Sequence, residues 1–249
     1  MRYTMKKLFT IFFIILSVNN LNSQIDIVHP PNWWIGFENQ ELQILVKGEK
    51  ISNYDVSIDY PGINLKKIHK ADSPNYLFID LNISNKTKPG TFKIKFKNET
   101  GDLIHDYKLD NKKVLKEQNN GFDSSDVVYL ITPDRFANGD YSNDIVKGLK
   151  EDRINREDNY ARHGGDLKGI TKNMEYINEM GFTALWLNPV LINDMKEGSY
   201  HGYATTDYYT VDPRFGTLSD YLDFSEKAKK NNIKLIKDII VNHCGLYHW

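Results

Sequence analysis

Two short stretches of this sequence are rich in the oxygen atoms that hard cations bind. ANGDYSND, residues 137–144, places four Asp and Asn side chains within eight residues, and HGGDL, residues 163–167, adds a carboxylate and an unhindered glycine carbonyl. Ca2+ takes about six to eight oxygen ligands, more than either stretch supplies alone. The same spacing also suits a surface turn rich in Asn, Asp and Gly, and it lacks the glutamate that completes an EF-hand loop. The candidate ligands are Asn138, Asp140, Asn143, Asp144, Gly164 and Asp166.

A third stretch crowds aromatic and imidazole rings together. In SYHGYATTDYYTVDPRFGT, residues 199–217, five rings lie within ten residues. Flat amphipathic rings suit the apolar faces of sugars, while their polar tips form hydrogen bonds with hydroxyl groups. Packing inside the protein fits the same rings, and spacing does not decide between the two roles. The rings belong to Tyr200, His201, Tyr203, Tyr208 and Tyr209.

The end of the chain carries a further polar group. DIIVNH, residues 238–243, brings Asp238, Asn242 and His243 to the end of an apolar run. A single histidine at the tip of a strand fits a structural role as well as a binding role. Cys244 beside it is the chain's lone cysteine, which excludes an internal disulfide, and we interpret it as a small buried residue.

Three apolar runs in the second half of the sequence are positioned to carry these groups. DVVYLI (residues 126–131), FTALWL (182–187) and IKLIKDIIV (233–241) each predict a strand covered on both faces. Helical spacing of apolar residues between 170 and 177, and a capping pair at Thr217, predict helices between these strands. The alternation of strand and helix indicates a parallel sheet with covering helices.

The loops distinguish a barrel from a doubly wound sheet. The segments after the first two strands, residues 132–165 and 189–216, are long and rich in aromatic and polar residues, whereas the turns from helix to strand are short. Barrel enzymes hold their chemistry on such loops at the carboxyl ends of the strands. Neither a dinucleotide-binding nor a phosphate-binding glycine motif follows any strand. The pattern favours the first three strands of an incomplete (β/α)8 barrel, over residues 126–249.

The first half of the sequence has a different period. Residues 41–108 alternate apolar with polar side chains, as in TFKIKFK (residues 91–97), and turn motifs such as YPG, KPG and NETG interrupt the pattern. Short alternating strands with regular turns predict an all-β sandwich of the immunoglobulin-like kind over residues 24–110. The polar residues 111–125 are then a linker.

The first residues of the chain predict the compartment in which the protein acts. A basic start and the apolar run from Leu8 to Val18 predict a signal peptide over residues 1–23, cleaved near Ser23, since a membrane anchor needs roughly 20 apolar residues. We therefore expect a secreted or periplasmic protein with no membrane association after cleavage.

A net charge of −1 gives no field that attracts nucleic acid or an acidic membrane surface, so we expect an uncharged partner.

The order of the motifs, rather than any one of them, suggests a family. DRFANGDYSND, HGGDLKGI, LWLNPV, the aromatic stretch and DIIVNH resemble, in sequence order, the first third of the barrel of the alpha-amylase superfamily, glycoside hydrolase family 13. DIIVNH is similar to that family's D-x-x-x-N-H signature. HPPNWWIGFENQELQILVKG, residues 29–48, resembles the amino-terminal domain of the neopullulanase and cyclomaltodextrinase branch.

This resemblance implies roles for individual residues. Tyr203 would stack on the sugar at the cleavage subsite, His243 would form hydrogen bonds with its hydroxyls, and His201 would support that wall. Asp238 would orient its neighbours inside the barrel mouth. The six oxygen-bearing residues above would form the calcium site of this branch, with Ca2+ as the cofactor. The tryptophan pair at residues 33–34 would bind glucan or pack against the barrel or a second subunit.

The implied activity is retaining hydrolysis of alpha-1,4-glucosidic bonds in an alpha-glucan. Retaining enzymes need two carboxylates about 5 to 5.5 Å apart. The resemblance places these on later barrel strands, so we assign no catalytic carboxylate and expect the 249 residues to be an inactive amino-terminal fragment. A non-catalytic glucan-binding or scaffold protein and a transglycosylase of the same superfamily remain alternatives, and a homodimer is expected through the sandwich.

Overall fold

The computed structural model describes residues 25–112 and 121–249. The chain divides into two compact units that meet in the sequence between Lys112 and Lys113. The predicted signal peptide and most of the predicted linker, residues 113–120, lie outside the described residues. No helix within the two described ranges is long and apolar enough to cross a membrane.

The first unit consists of two four-stranded sheets. One sheet has the order β1-β3-β6-β5 and the other the order β2-β8-β7-β4. The strands are β1 (Ile25–His29), β2 (Asn32–Ile35), β3 (Glu41–Gly48), β4 (Asp55–Ile58), β5 (Ile63–Lys70), β6 (Tyr76–Ile83), β7 (Gly90–Asn98) and β8 (Gly101–Asn111).

Alternation along these strands produces one shared core. In β7 the side chains of Phe92, Ile94 and Phe96 are at most 2% exposed, while the lysines between them face solvent. Residues from both sheets belong to the same buried apolar cluster, so each sheet buries one face against the other. The sandwich is therefore as predicted except at one edge, where β2 pairs with β8 in parallel rather than antiparallel fashion.

The second unit is built around a three-stranded parallel sheet in the order β13-β10-β9. An antiparallel pair, β11 with β12, lies within the loop that follows β10. The elements are β9 (Val128–Ile131), α1 (Pro133–Phe136), α2 (Leu167–Lys172), α3 (Met174–Glu179), β10 (Ala184–Leu187), β11 (Leu191–Ile192), β12 (Asp207–Val211), α4 (Leu218–Lys230) and β13 (Lys234–Lys237).

Local capping explains where the helices begin and end. Thr217 and Asp220 form the predicted capping box, in which the Thr217 hydroxyl accepts from the Asp220 amide and the Asp220 carboxylate accepts from the Thr217 amide. Gly181, with φ of 86°, closes the helical segment before β10. The buried faces of α2, α3 and α4 pack with one face of the sheet in a single core cluster.

The opposite face of the sheet differs from the prediction. We expected strands covered on both faces, but Val128 is 40%, Leu130 53% and Trp186 39% exposed. Helices α2, α3 and α4 pack on the other face, where Ile131, Leu185 and Leu187 are buried, so only one face of this sheet is covered within the described residues. Cys244 is likewise exposed rather than buried, and it lies in the irregular segment after β13.

Candidate functional site

The carboxyl ends of β10 and β13 bring an aromatic wall together with a carboxylate. Leu187, the last residue of β10, pairs with Lys237, the last residue of β13, so both strands end at the same level. Asp238 follows directly. Its Oδ2 accepts a hydrogen bond from Trp186 Nε1 and another from the Tyr203 hydroxyl, each 3.1 Å long. A residue of the second loop therefore meets one that follows the third strand.

A tight turn over residues 198–203, here called the wall turn, presents His201 and Tyr203. Gly198 and Gly202 both adopt left-handed backbone conformations, with φ of 69° and 79°. A Cβ atom on Gly202 would lie 1.9 Å from the Pro189 carbonyl oxygen, so this position requires glycine. The rings of His201 and Tyr203 stack with their centroids 5.8 Å apart.

His201 is arranged to donate a hydrogen bond from its Nε2 atom. Its Nδ1 accepts from the Tyr203 amide at 2.9 Å, so a neutral ring carries its proton on Nε2. Burial lowers the pKa of His201, and the nearby Glu151 carboxylate opposes that shift only in part. The ring is therefore neutral at neutral pH and offers an N–H to a hydroxyl acceptor.

Tyr203 is held at three points, which gives the wall a defined orientation. Besides its amide and its hydroxyl, its carbonyl oxygen lies 3.1 Å from His243 Nε2. Burial and the Asp238 carboxylate raise the pKa of the Tyr203 phenol, so it remains a protonated donor. His243 thus holds the Tyr203 backbone through its Nε2 atom, and its Nδ1 lies 3.3 Å from Asn242 Nδ2. The structure brings all four predicted substrate-binding residues into one group: Tyr203, His201, His243 and Asp238.

The six predicted metal ligands also meet, around the first turn of α2. Asp166 caps this helix by accepting from the Gly169 amide at 2.6 Å. The same carboxylate accepts from the amides of Gly139 and Asp140, at 3.0 and 2.8 Å, and so ties the two stretches together. Gly164 has φ of 87°, which favours glycine, and a Cβ there would lie 2.7 Å from Asp144 Oδ1 and 2.9 Å from Asn138 Nδ2, so a larger residue would displace those side chains.

The chemistry of this group fits a hard cation. Asn143 Oδ1 is buried and has no hydrogen-bond partner among the described residues, and an unsatisfied buried acceptor costs about 1–3 kcal/mol unless a ligand fills it. Three carboxylates lie in the group, and Lys168 contacts one of them, Asp140, at 2.5 Å. The hydrogen bond to Lys168 is the main reason that the pKa of Asp140 is far below its usual range.

The carboxylates are not arranged as a cluster of their own. Lys168 and Ser142 engage Asp140, and backbone amides engage Asp166. Within residues 25–112 and 121–249, no group of three or more His, Cys, Asp or Glu residues is positioned to hold a metal ion. Amide and carbonyl oxygens must therefore contribute to any shell, a donor set that suits Ca2+ and not a soft transition metal.

A buried network of charges beneath the wall turn was missed by sequence reasoning. Asp212 pairs with Arg214 at 2.7 Å, and both are fully buried. Arg162, also fully buried, lies 3.5 Å from Asp134 and over the Phe215 ring. Charged residues are usually at the surface, and the sequence carried no signal that these four pack inside.

Comparison with known proteins decides the family. Residues 27–113 match the model of the family described as "Cyclomaltodextrinase, N-terminal", and residues 130–249 match "Alpha amylase, catalytic domain". The chain belongs to the alpha-amylase superfamily. Its all-β first unit is the amino-terminal domain of the cyclomaltodextrinase type, and its second unit is part of the alpha-amylase barrel, as the resemblance predicted.

Curated relatives in the alpha-amylase superfamily are similar to about half of the chain. A beta/alpha-amylase of Paenibacillus polymyxa is 43% identical over 49% of this chain and 10% of its own length. Neopullulanase 2 of Thermoactinomyces vulgaris and a cyclomaltodextrinase of Thermoanaerobacter pseudethanolicus are each 40% identical over 48% of this chain and 20% of their own length. The chain thus spans a tenth to a fifth of the length of these relatives.

Solved structures are similar over about the same share of the chain. An alpha-amylase of Anoxybacillus is 43% identical over 49% of this chain and 25% of that one, with a TM-score of 0.45. The curated relatives named above are an amylase, a neopullulanase and a cyclomaltodextrinase, which are glycoside hydrolases acting on glucans.

Proposed function

We propose that this chain supplies the sugar-binding wall and the calcium-braced first loop of an exported alpha-glucan hydrolase that cleaves alpha-1,4 bonds with retention. The observation that carries the proposal is the convergence of Tyr203, His201 and Asp238 at the carboxyl ends of two neighbouring parallel strands. Active sites of barrel enzymes lie at this end of the sheet.

The wall suits a neutral polyhydroxylated ligand. The stacked rings of His201 and Tyr203 offer a flat apolar surface next to a neutral N–H and a carboxylate. Sugars combine apolar C–H faces with hydroxyl groups that both donate and accept, so one ring can contact the stack while its hydroxyls reach these polar atoms. The relatives with names of glucan-acting enzymes support the same substrate class.

Asp238 orients the wall and is not proposed as a nucleophile. One of its oxygens accepts from Trp186 and Tyr203, which fixes the carboxylate against the phenol. Retention requires a second carboxylate about 5 to 5.5 Å away. Within the described residues the other carboxylate that contacts the wall turn is Glu151, which is buried and accepts from the Ser199 amide. We therefore propose that the 249 residues bind glucan without hydrolysing it, and that hydrolysis belongs to a longer protein.

Calcium would brace the loop from which this wall is supported. The ligands proposed for it are the oxygens of Asn138, Asp140, Asn143, Asp144, Gly164 and Asp166. The buried Asn143 oxygen, which has no hydrogen-bond partner, would coordinate a bound Ca2+. The ion would also hold residues 137–144 and 163–167 against α2. Export of the protein and dimerisation through its first unit are further parts of this proposal.

Calorimetric titration with maltoheptaose tests the binding role. Tyr203→Ala should weaken binding by at least about tenfold because it removes the stacking ring and the donor to Asp238. Tyr176→Ala is the matched control, since Tyr176 is a 55% exposed tyrosine on α3. Equal affinities of the two variants, or no binding by the native chain, would contradict the proposal.

Turnover separates the catalytic from the non-catalytic interpretation. The chain of 249 residues and any longer protein that contains it should be incubated with pullulan and cyclodextrin, and reducing ends measured. Turnover by the longer protein alone is expected. Binding without turnover in both favours a glucan-binding scaffold, and transfer products in place of hydrolysis favour a transglycosylase.

A further inference from the structure

The wall turn is anchored through Ser199, whose polar groups are all engaged by the protein. Its amide donates to Glu151 Oε2 at 2.8 Å. Its hydroxyl accepts from Arg162 Nη1 at 3.4 Å, and its carbonyl accepts from Asn193 Nδ2 at 3.3 Å. Ser199 and these three partners are at most 4% exposed. A small hydroxyl residue is thus clamped inside the protein at the start of the turn that carries His201.

Any displacement of Ser199 is passed to the ligand-facing rings. Ser199, Tyr200 and His201 form one turn of 3-10 helix, and the Ser199 carbonyl accepts from the Gly202 amide at 3.3 Å. The Tyr203 amide in turn donates to His201 Nδ1. Because these hydrogen bonds link Gly202 to Ser199 and Tyr203 to His201, the orientation of both rings depends on where Ser199 is held.

Of the three contacts to Ser199, the one from Glu151 is the shortest and involves a charged group. Hydrogen bonds from a backbone amide to a carboxylate are stronger than neutral ones. Glu151 comes from the loop after β9, and its own carbonyl accepts from Arg214 Nη1 at 3.3 Å. Arg214 is fixed in turn by Asp212 and by the Asn193 carbonyl. Arg214 therefore holds the Glu151 backbone in place, and the buried side chain extends from it to the Ser199 amide.

We propose that Glu151 is a positioning residue for glucan binding: its carboxylate holds the Ser199 amide so that His201 and Tyr203 stand in their stacked arrangement. It does not touch the ligand. The first loop thereby sets the geometry of a wall that belongs to the second loop, 48 residues further along the chain. This inference rests on the proposed glucan-binding function.

Two conservative substitutions in the 249-residue chain separate geometry from charge. Glu151→Gln keeps an oxygen acceptor at the same distance and removes the charge, whereas Glu151→Asp keeps the charge and withdraws the acceptor by one methylene. If the hydrogen bond positions the wall, maltoheptaose affinity should fall about tenfold in Glu151→Asp and stay within about threefold in Glu151→Gln. Glu157→Ala, an exposed glutamate of the same loop, is the matched control.

A spectroscopic readout reports on positioning without any ligand. The amide proton of Ser199 should move upfield in Glu151→Asp, and the amide signals of His201 and Tyr203 should shift with it. The pKa of the His201 ring, followed by titration of its carbon-bound protons, should fall in Glu151→Gln because a nearby negative charge is lost. Melting temperatures measured in parallel show that each variant is folded.

The outcomes distinguish this inference from the proposed function. Failure of the native chain to bind maltoheptaose would refute glucan binding, while the Ser199, His201 and Tyr203 signals would still judge positioning. Weak binding by Glu151→Gln with native-like binding by Glu151→Asp would overturn the inference, because charge and not the hydrogen bond would then matter. Unchanged amide signals of Ser199 and Tyr203 in Glu151→Asp would overturn it as well.

Discussion

The two units of the chain bury different kinds of side chain. In the first unit the described buried residues are apolar apart from Ser52 and Thr87, neither of which is charged. In the second unit six charged residues are at most 4% exposed: Asp134, Glu151, Arg162, Asp166, Asp212 and Arg214. The described core of the sandwich is thus apolar, whereas the barrel part also buries charged residues of its long loops.

The difference follows from what each unit has to position. Apolar contacts are non-directional and suit the packing of two sheets. The loops at the carboxyl ends of β9 and β10 bury apolar side chains such as Val190 and Phe215, and buried hydrogen-bonded charges add directional contacts that fix the orientation of these loops. The proposed site thus lies where the protein buries charge, and four substitutions test this comparison, in order of decreasing effect.

Breaking the buried Asp212 and Arg214 pair should be the most damaging change. Asp212→Ala leaves the guanidinium of Arg214 buried without its carboxylate, and such a change costs about 3–5 kcal/mol of unfolding free energy. Asp106→Ala in the first unit removes a pair whose partners are 56% and 61% exposed, and we expect a loss of at most about 1 kcal/mol. Urea unfolding measures both, and equal losses would remove the contrast between the units.

Truncating the apolar core should destabilise the first unit by a different mechanism. Leu77→Ala empties a fully buried position in β6 and should cost about 2–5 kcal/mol of unfolding free energy. Ile104→Ala, at a position 57% exposed, is the control and should cost less than about 0.5 kcal/mol. Unfolding followed by tryptophan fluorescence and by circular dichroism measures both. A loss in the control as large as that of Leu77→Ala would show that burial does not set the stability of this unit.

Calcium should stabilise the second unit through the oxygens around α2. Ca2+ at 100 times its dissociation constant should add about 2.7 kcal/mol to the unfolding free energy. Asn143→Ala removes the unsatisfied buried oxygen and should abolish most of that gain, whereas the exposed Asn159→Ala should keep it. Thermal melts with calcium chloride and with EDTA measure the effect. A calcium response that survives in Asn143→Ala would place the ion elsewhere.

The smallest effect concerns acid stability at the start of the barrel part. Hydrogen bonds from Lys234, the Asp123 amide and Thr183 lower the pKa of Asp126 to about 2. A depressed carboxyl pKa stabilises the folded state above the unfolded value of about 3.9, and this stability is lost as the pH falls toward 2. Asp126→Asn should therefore flatten the decline in melting temperature between about pH 4 and pH 2.

Asp152→Asn, an exposed position in the first long loop, is the control for that titration. The melting temperature of Asp152→Asn should fall with decreasing pH as that of the native chain does. A native-like decline in Asp126→Asn would mean that other carboxylates determine the acid sensitivity of this unit.

Sequence reasoning located the strands but misjudged where some end and what covers them. The strand predicted to run to Val241 ends at Lys237, because its partner β10 ends at Leu187 in the same register and leaves later residues without a neighbour on that side. The apolar side chains of Val128, Leu130 and Trp186 satisfied the pattern of a strand buried on both faces, yet helices pack on only one face of the sheet. A run of apolar residues in the sequence does not show which other elements pack against each face of the strand.

The candidate site likewise combines features that the sequence predicted with features that it did not. The structure brings the predicted wall residues together, and separately the predicted metal ligands, because the loops that carry them follow neighbouring parallel strands. Their partners were not found, since a hydrogen bond such as that from the Ser199 amide to Glu151 joins residues whose separation in the sequence has no period.

By itself the sequence determined the alternation of the sandwich strands, the capping box at Thr217 and the order in which the loops follow the strands. These features depend on residues close together in the chain, so local geometry specifies them. Only the tertiary structure decided that Arg162, Arg214 and Glu151 lie inside and that Asp238 meets Tyr203. Burial of a charge depends on which distant groups surround it, and the packing of the loops against one another sets those surroundings.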